Sequence, residues 1–396
     1  MSPSPQILQS VQNYKLPDWV TALTIPTPDQ VFAVTASGHL AQITPTGKEP
    51  KLTKIHESTI SAIQTSPTNS NLIFTASNDH TLKIHDIRLG KPIITLKHSH
   101  PFFCLDVSPN GNLVAAGSEL AGNDVHLPIW DIRKLQSNDS EEPMRTFIDS
   151  HNDDITTLRF HPNRNVLLSG GTDGLINLYD LDVIEEEDAM IQCINWCSVS
   201  SAGFLNTNRI WAKSHMETFA TFEISKPQEI DPDSVVNDHS DLNLKKSKDD
   251  KDYGDIRESW KCNYIIDIKA PYMALGGEEK IMLREFNPDS ENLENKEWHL
   301  AGGHGEEIVR DVCINGGIWT AGEDCYVRYW GENEKVGLYN TKSGFVSSEP
   351  FTEVAIEEGE TMEIEYDTKK VKEKKDKHKS KKSKKDKKDR HRFKPY

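Results

Sequence analysis

The sequence lacks the long apolar runs that mark membrane-spanning helices. None of its 396 residues lies in an uninterrupted apolar stretch of about 18 residues, the minimum for such a helix. It has only six cysteines, and they are scattered along the chain. So few thiols exclude a small disulfide-held module and favour a reducing compartment. Residues 1–5 have neither a charged flank nor an apolar stretch, so we expect no secretory signal.

Basic residues are scarce outside the C-terminal end. The chain has 62 acidic and 46 Lys or Arg residues, a formal net charge of −16. Residues 369–396 hold sixteen of the basic residues and only four acids, which leaves 30 basic and 58 acidic residues in residues 1–368. An acidic body of this kind repels nucleic acid and attracts a basic protein. We therefore predict a basic protein partner and no membrane partner.

The lysine-rich tail over residues 369–396 is open to three interpretations. It is a solvated end without a specific role, a nuclear or nucleolar targeting signal, or a contact to nucleic acid. Sixteen basic residues would bind phosphate with strong salt dependence. Only Phe393 and Tyr396 are available for stacking on bases, so such a contact would be nonspecific. We predict a nuclear or nucleolar protein, and a cytoplasmic population is also compatible with the sequence.

Short marks recur along the chain at the period of a repeat unit. The tripeptides at 84–86, 129–131 and 178–180 are 45 and 49 residues apart, and a related one at 329–331 follows about 150 residues later. Three units contain a His, a Ser or Thr, an Asp and an aromatic or second His at matched spacing. These four-residue sets are His56, Thr75, Asp79 and His85; His151, Ser169, Asp173 and Tyr179; and His304, Thr320, Asp324 and Trp330.

A His beside a hydroxyl and an acid is also the arrangement of hydrolase active sites. Here the same set occurs three times at the repeat period, which indicates a structural motif of the repeat rather than a catalytic centre. We predict that each set is a buried hydrogen-bond chain inside one unit.

Short apolar or alternating segments lie between these marks. In one unit they are 60–63, 72–74 and 81–84, separated by turn residues at 66–69 and 78–79. No segment has a helical period of any length. The pattern predicts four-stranded antiparallel units, which bury both faces only if they stack radially into a closed ring.

The spaced marks, together with Gly303-His304 and Trp130-Asp131, resemble the WD40 repeats of β-propellers. The resemblance covers about residues 15–335. It implies an all-β, seven-bladed WD40 β-propeller whose units end near residues 43, 86, 131, 180, 224, 286 and 330. Residues 7–14 would supply the outer strand of the last blade and lock the ring.

The predicted organisation has four parts. Residues 1–14 form an N-terminal segment, 15–335 the propeller, 336–368 an acidic linker and 369–396 a disordered tail. An acidic insertion at about 226–258 interrupts the propeller, because residues 229–241 hold five acids and no Lys or Arg. Such a composition cannot bury apolar area and predicts a disordered loop.

No catalytic residue, cofactor or metal site is predicted. Cys193 and Cys197, with His215, form a lone C-x₃-C pair, which is more typical of core or half-buried thiols than of a metal site. Gly170-Gly171 is followed by neither a helix nor a Lys-Ser/Thr pair and is therefore no phosphate loop. The sequence indicates a non-enzymatic interaction protein.

The ends of the strands that carry the set aspartates are the predicted binding surface. The candidates are the residues that precede those aspartates, the acids of neighbouring loops and one basic residue near the channel mouth: Asn78, Thr172, Glu323; Asp153, Asp154, Glu306, Glu307; and Arg310. We predict a scaffold, monomeric outside its complex, that binds or chaperones a ribosomal protein or histone.

One alternative remains from the same pattern. Trp130, Asp131 and Arg133 resemble the W-D-x-R box of substrate receptors for cullin-type ubiquitin ligases. This resemblance implies that an adaptor protein binds these three residues.

Overall fold

The computed structural model describes residues 5–135, 141–225, 249–269, 271–332, 335 and 338. Within this part of the chain, 29 strands form seven sheets, each sheet is one blade, and all strand pairs except β1 with β26 are antiparallel. The predicted linker and tail lie outside the described residues, apart from residue 338.

Blades 1 to 5 each contain four strands in chain order. Blade 1 has β3 (Val20–Thr27), β4 (Gln30–Thr35), β5 (His39–Ile43) and β6 (Lys51–Lys54). Blade 2 has β7 (Ile60–Thr65), β8 (Leu72–Ser77), β9 (Thr81–Asp86) and β10 (Lys91–Lys97). Blade 3 has β11 (Phe102–Val107), β12 (Leu113–Ser118), β13 (Leu127–Asp131) and β14 (Arg145–Phe147). Blade 4 has β15 (Ile155–Phe160), β16 (Val166–Gly171), β17 (Leu175–Asp180) and β18 (Met190–Asn195). Blade 5 has β19 (Val199–Asn206), β20 (Arg209–Ser214), β21 (Thr218–Glu223) and β22 (Lys251–Asp255).

The last two blades include strands from the N-terminal segment. Blade 6 has β23 (Tyr264–Lys269), β24 (Tyr272–Gly277), β25 (Lys280–Asn287) and β26 (Asn292–Ala301), and β1 (Gln6–Leu8) pairs with β26 in parallel. Blade 7 has β27 (Val309–Ile314), β28 (Ile318–Gly322) and β29 (Tyr326–Tyr329), and β2 (Gln12–Lys15) is its outer strand. The N-terminal segment thus pairs with two blades, and the pairing of β1 was not predicted.

Three helices of four residues interrupt the described loops: α1 (Ile132–Leu135), α2 (Glu186–Ala189) and α3 (Arg257–Trp260). No helix of the described chain has the length and apolar character that crossing a membrane requires.

Seven hydrophobic clusters hold the ring together, one at each interface between adjacent blades. The cluster between blades 2 and 3 contains Phe74 and Trp130, and the one between blades 7 and 1 contains Trp319 and Val20. Because every blade buries both faces against a neighbour, no interface is left exposed. The all-β, seven-bladed fold expected from the sequence is confirmed, and the third strands end within one residue of the expected positions.

The predicted acidic insertion differs from the structure at its C-terminal end. Residues 226–248 lie outside the described residues, but 251–255, counted in the predicted disordered loop, form β22 and pair with β21. The physical reason is Tyr253, whose ring packs against Phe219 and Trp260. This aromatic contact and the backbone pairing with β21 together attach the charged strand to the core.

Antiparallel strands place their loops alternately at the two ends of the ring. We call the upper face the end formed by loops that join the second and third strands of a blade, or one blade to the next. These loops are residues 16–19, 36–38, 55–59, 78–80, 98–101, 119–126, 148–154, 172–174, 196–198, 215–217, 256–263, 278–279, 302–308 and 323–325. The opposite end is the lower face.

Candidate functional site

Each four-residue set forms a hydrogen-bond chain beneath the upper face. In blade 4, His151 Nδ1 lies 3.0 Å from Asp173 Oδ2, and its Nε2 lies 2.7 Å from Ser169 Oγ. The same hydroxyl is 3.2 Å from the Tyr179 hydroxyl. The chain therefore links two loops of the upper face to the second and third strands of the blade.

The other two sets repeat this geometry. In blade 2 the distances from His56 to Asp79 and from His56 to Thr75 are 2.9 and 2.8 Å. In blade 7 the corresponding distances from His304 are 2.7 and 2.8 Å, and Trp330 Nε1 donates to Thr320 Oγ1 at 2.9 Å.

The surroundings of these sets indicate a structural role rather than a catalytic one. Thr75, Ser169 and Thr320 are completely buried, so no substrate can reach their hydroxyls. Burial lowers the pKa of His56 to about 4. Burial also acts to raise the pKa of Asp79, but hydrogen bonds from Thr81 and the Glu57 amide and the proximity of His56 bring it down to about 2. At neutral pH the aspartate is an ionised acceptor for loop groups.

Replacing Ser169 by alanine tests the energetic role of one set. We expect Ser169→Ala to lower the free energy of unfolding by about 2 kcal/mol, since it leaves His151 Nε2 and the Tyr179 hydroxyl without this partner. Urea unfolding followed by far-UV circular dichroism measures the change. Ser198→Ala is the matched control, because Ser198 Oγ also contacts an imidazole nitrogen, His215 Nδ1 at 3.0 Å, but in an exposed place. It should change stability by less than about 0.5 kcal/mol; equal effects would contradict the prediction.

Acidic side chains dominate the upper face. Its loops carry seventeen acidic residues and two basic ones, Arg257 and Lys261. The acidic residues are Asp18, Glu57, Asp79, Glu119, Asp124, Asp149, Asp153, Asp154, Asp173, Glu217, Glu258, Glu278, Glu279, Glu306, Glu307, Glu323 and Asp324. On the lower face, the described loops between first and second strands carry one acid and one base, Asp29 and Arg164. The described lower-face loops between third and fourth strands add twelve acids and four bases. The excess of acids over bases is therefore fifteen in the upper-face loops and eight in the described lower-face loops, so the upper face is the more negative of the two.

The eight predicted partner-binding residues all lie at the upper face, but they differ in how accessible they are to a partner. Glu306 and Glu307 are exposed in the loop before β27. Asp153 Oδ1 accepts the Asp154 amide at 2.9 Å. Arg310, predicted as a basic residue near the channel mouth, pairs with Glu323. Its charge is therefore neutralised locally.

The remaining candidates hold loops together. Asn78 donates to Glu119 Oε1 at 2.7 Å. Asp154 accepts the Leu120 amide at 2.7 Å and, through its carbonyl, the Thr172 hydroxyl at 3.4 Å. Of the predicted residues, Glu306 and Glu307 are the ones most available to a partner.

Sequence reasoning missed a set of exposed apolar side chains at this face. Trp19 is 52% exposed and Met216 is 68% exposed, both in upper-face loops. Leu120 and Ile308, in two further loops of this face, are also exposed. Their signal in the sequence is weak, because each is a single apolar residue in a separate loop.

The Trp130, Asp131 and Arg133 motif lies at the lower face. Trp130 is buried, and its Nε1 donates to the Glu141 carbonyl at 3.1 Å. The Arg133 guanidinium holds the Asp131 carboxylate through two nitrogens at 2.9 and 2.7 Å. The Asp86 and Arg88 side chains repeat this pair at the end of β9. The motif stabilises the turn after a third strand, and an adaptor-binding role for it stays a prediction.

Comparisons with known proteins identify the repeats. The profile of the WD domain, G-beta repeat, matches residues 48–86, 90–124 and 141–180. An uncharacterized WD repeat-containing protein of Saccharomyces cerevisiae is 38% identical over 304 residues, which cover 73% of this chain and 72% of that protein. The chain belongs to the WD40-repeat family. Two of the WD40 matches begin just before the outer strand of one blade and end with the third strand of the next. The match over 90–124 ends inside the loop 119–126.

Two further relatives are similar over smaller parts. Residues 151–154, 158–162 and Asp173-Gly174 resemble WD repeat-containing protein 89. The homolog of that protein in Dictyostelium discoideum is 32% identical over 161 residues, which are 40% of this chain and 41% of its own length. A ribosome biogenesis protein of Phaeosphaeria nodorum is 28% identical over 127 residues, 32% of this chain and 25% of its own length.

Proposed function

We propose that this WD40 protein is a non-enzymatic interaction protein of the nucleus whose upper face binds a basic protein client. The observation that carries the proposal is the charge of that face, seventeen acidic residues against two basic ones. Such a surface imitates the phosphate backbone that ribosomal proteins and histones finally bind. It also steers basic clients into place by long-range attraction.

Exposed apolar side chains supply the second element of a binding surface. Trp19, Met216 and Ile308 stand among the acids in three different upper-face loops. Protein interfaces combine an apolar centre with a polar rim, and aromatic and Met residues are enriched in the centre. The client therefore presents apolar side chains surrounded by Lys and Arg.

The nuclear setting is supported by two observations. The chain ends in a lysine-rich segment of the kind that serves as a targeting signal. A relative over about a third of the chain is named for ribosome biogenesis.

Charge reversal at the upper face tests the proposal. We expect a Glu306→Lys and Glu307→Lys double variant to recover basic nuclear proteins at least about tenfold less well in affinity purification, since both side chains are exposed and face the client. Quantitative mass spectrometry of the eluates measures the recovery. The matched control is Glu187→Lys with Asp188→Lys, which makes the same charge change at exposed positions of the lower face.

The control should retain the client. Equal recovery by the two double variants, or no basic nuclear protein with the unmodified chain at physiological ionic strength, would refute the proposal. A chain without residues 369–396, purified in parallel from nuclear extract, shows whether the tail or the propeller captures the client.

A further inference from the structure

Blade 3 departs from the pattern of blades 2, 4 and 7. Leu113 pairs with Asp131 in blade 3 as Leu72 pairs with Asp86 in blade 2. This register places Ala116 where Thr75 carries its hydroxyl. Trp130, at the position of His85, donates instead to the backbone at Glu141. Blade 3 therefore has no hydroxyl at the centre of its set.

The same blade contains a buried histidine with one unpartnered nitrogen among the described residues. His100 lies in the loop 98–101 that enters blade 3, two residues before β11, and is 7% exposed. Its Nδ1 lies 2.8 Å from Ser99 Oγ, but its Nε2 has no hydrogen-bond partner among the described residues. A buried polar atom in this state costs stability, so such an atom in a folded protein points to a bound water, ligand or ion.

Two further imidazoles lie close to the His100 ring. The loop 119–126 delivers His126, which occupies the position of Thr81 in blade 2. The rings of His100 and His126 are 4.0 Å apart between centroids. His98 Nε2 lies 3.3 Å from His126 Nδ1. One nitrogen from each of the three rings lies within 4.8 Å of the others.

We propose that His98, His100 and His126 form a binding site for a divalent transition-metal ion of the zinc type. An ion held tetrahedrally at about 2.0–2.1 Å from imidazole nitrogens separates them by about 3.3–3.4 Å. The distance from His98 Nε2 to His126 Nδ1 already has this value. Three imidazoles suit zinc, copper or nickel, and they leave the fourth position of a tetrahedron to water.

The protonation states favour binding. Burial, followed by the neighbouring imidazoles, lowers the pKa of His98 to about 4, and burial with His100 lowers the pKa of His126. Both rings are therefore neutral near pH 7. Ser99 Oγ can accept the Nδ1 proton of His100, which leaves the lone pair on the unpartnered Nε2.

One hydrogen bond must be exchanged when the ion binds. The His100 amide donates to His98 Nδ1 at 3.1 Å, so the proton of neutral His98 is on Nε2 and points at His126 Nδ1. The ion binds His98 Nε2 in place of this proton, and the proton moves to Nδ1 of the same ring. The His100 amide then no longer donates to His98 Nδ1. The ring stays neutral, no proton is released, and His126 Nδ1 is freed for the metal.

Titration of the purified full-length protein, stripped with a chelator, tests the site. Zinc chloride is titrated by calorimetry, and cobalt chloride by the visible absorption of tetrahedral Co²⁺. We expect one equivalent of either ion to bind at the cluster. The main variant is His126→Thr, which installs the residue that blade 2 carries at this position and removes one ligand. It should weaken metal binding by more than about 100-fold, which exceeds the loss of affinity that is usual when a residue hydrogen-bonded to a metal ligand is replaced.

A second variant and a control keep the result unambiguous. His100→Ala should lose the ion as His126→Thr does, whereas His215→Ala, which removes an upper-face histidine from blade 5, should bind like the unmodified protein. Zinc should also raise the unfolding temperature of the unmodified chain but not of His126→Thr. The proposal is overturned if the unmodified protein binds neither ion, or if it binds them no better than His126→Thr does. None of these readouts depends on the client proposed above.

Discussion

A chain that lacks residues 1–16 is expected to lose more than about 5 kcal/mol of unfolding free energy, because two buried side chains and the outer strand of blade 7 leave together. Tyr14 is 4% exposed, and its hydroxyl donates to the Thr44 carbonyl of blade 1 at 2.9 Å. Leu16 is buried in the cluster between blades 7 and 1. The loss approaches the whole stability of many domains, so the truncated chain should unfold at a much lower temperature.

The shorter deletion of residues 1–9 is the control for this prediction. It removes β1, whose Gln6 and Ile7 are exposed, but keeps β2 in place. Its cost should be at most about 2 kcal/mol. Differential scanning calorimetry of the three chains compares them directly. Equal destabilisation by the two deletions would show that the pairing of β2 with β29 contributes little to the free energy of unfolding.

Mild acid is expected to destabilise the ring through buried histidines. Burial lowers the pKa of His161 to about 4 and that of His85 to about 3. The unfolded chain binds protons at these residues below about pH 6.5, whereas the folded chain does so only below pH 4. Stability is therefore fully present above pH 6.5 and is lost as the pH falls. Each such histidine should remove roughly 2 kcal/mol between pH 7 and pH 5.

His161 is the clearest case because its hydrogen bonds identify the neutral form. Its Nδ1 accepts the amides of Asn163 and Arg164, both at 3.0 Å, and its Nε2 donates to the Thr207 carbonyl at 3.3 Å. A proton on Nδ1 would break both amide contacts. Ser66 occupies the corresponding turn of blade 2, so His161→Ser replaces the imidazole with a group that does not titrate.

Urea unfolding at pH 7 and pH 5 measures this effect as a difference. Asp106 and Asp311, whose pKa values burial raises, act in the opposite direction in both proteins, so the total pH dependence is less informative. The stability of His161→Ser should fall by roughly 2 kcal/mol less than that of the unmodified chain over this interval. An identical decrease in both would show that folding does not lower the pKa of His161.

The candidate site was only partly predictable, because much of it depends on neighbours that are distant in sequence. Glu306 and Glu307 could be placed on the upper face from the spacing of His304 and Asp324 alone. The ion pair between Arg310 and Glu323 could not be predicted, because it depends on how closely the start of β27 approaches the end of β28. Trp19 and Met216 are almost 200 residues apart, and no local pattern marks either as an exposed residue of the same face.

The histidine cluster shows the same limit in blade 3. His98 and His100 were overlooked because blade 3 has no hydroxyl at the spacing that revealed the other three sets. His126 comes from a loop whose extra residues disturb the repeat period. Only the strand register shows that Ala116 replaces the hydroxyl and that a third imidazole lies next to His100.

The amino-acid sequence alone determined the seven-bladed architecture and the three hydrogen-bonded sets, because each blade is a local unit whose polar and apolar residues recur at a fixed spacing. It also determined the acidic character of the body, which is a matter of composition. The tertiary structure decided which strands the N-terminal segment joins, which charges are paired and which histidines meet. These features arise where separate blades and loops come together. Such contacts join residues that are distant in sequence, so the spacing of residues along one strand does not reveal them.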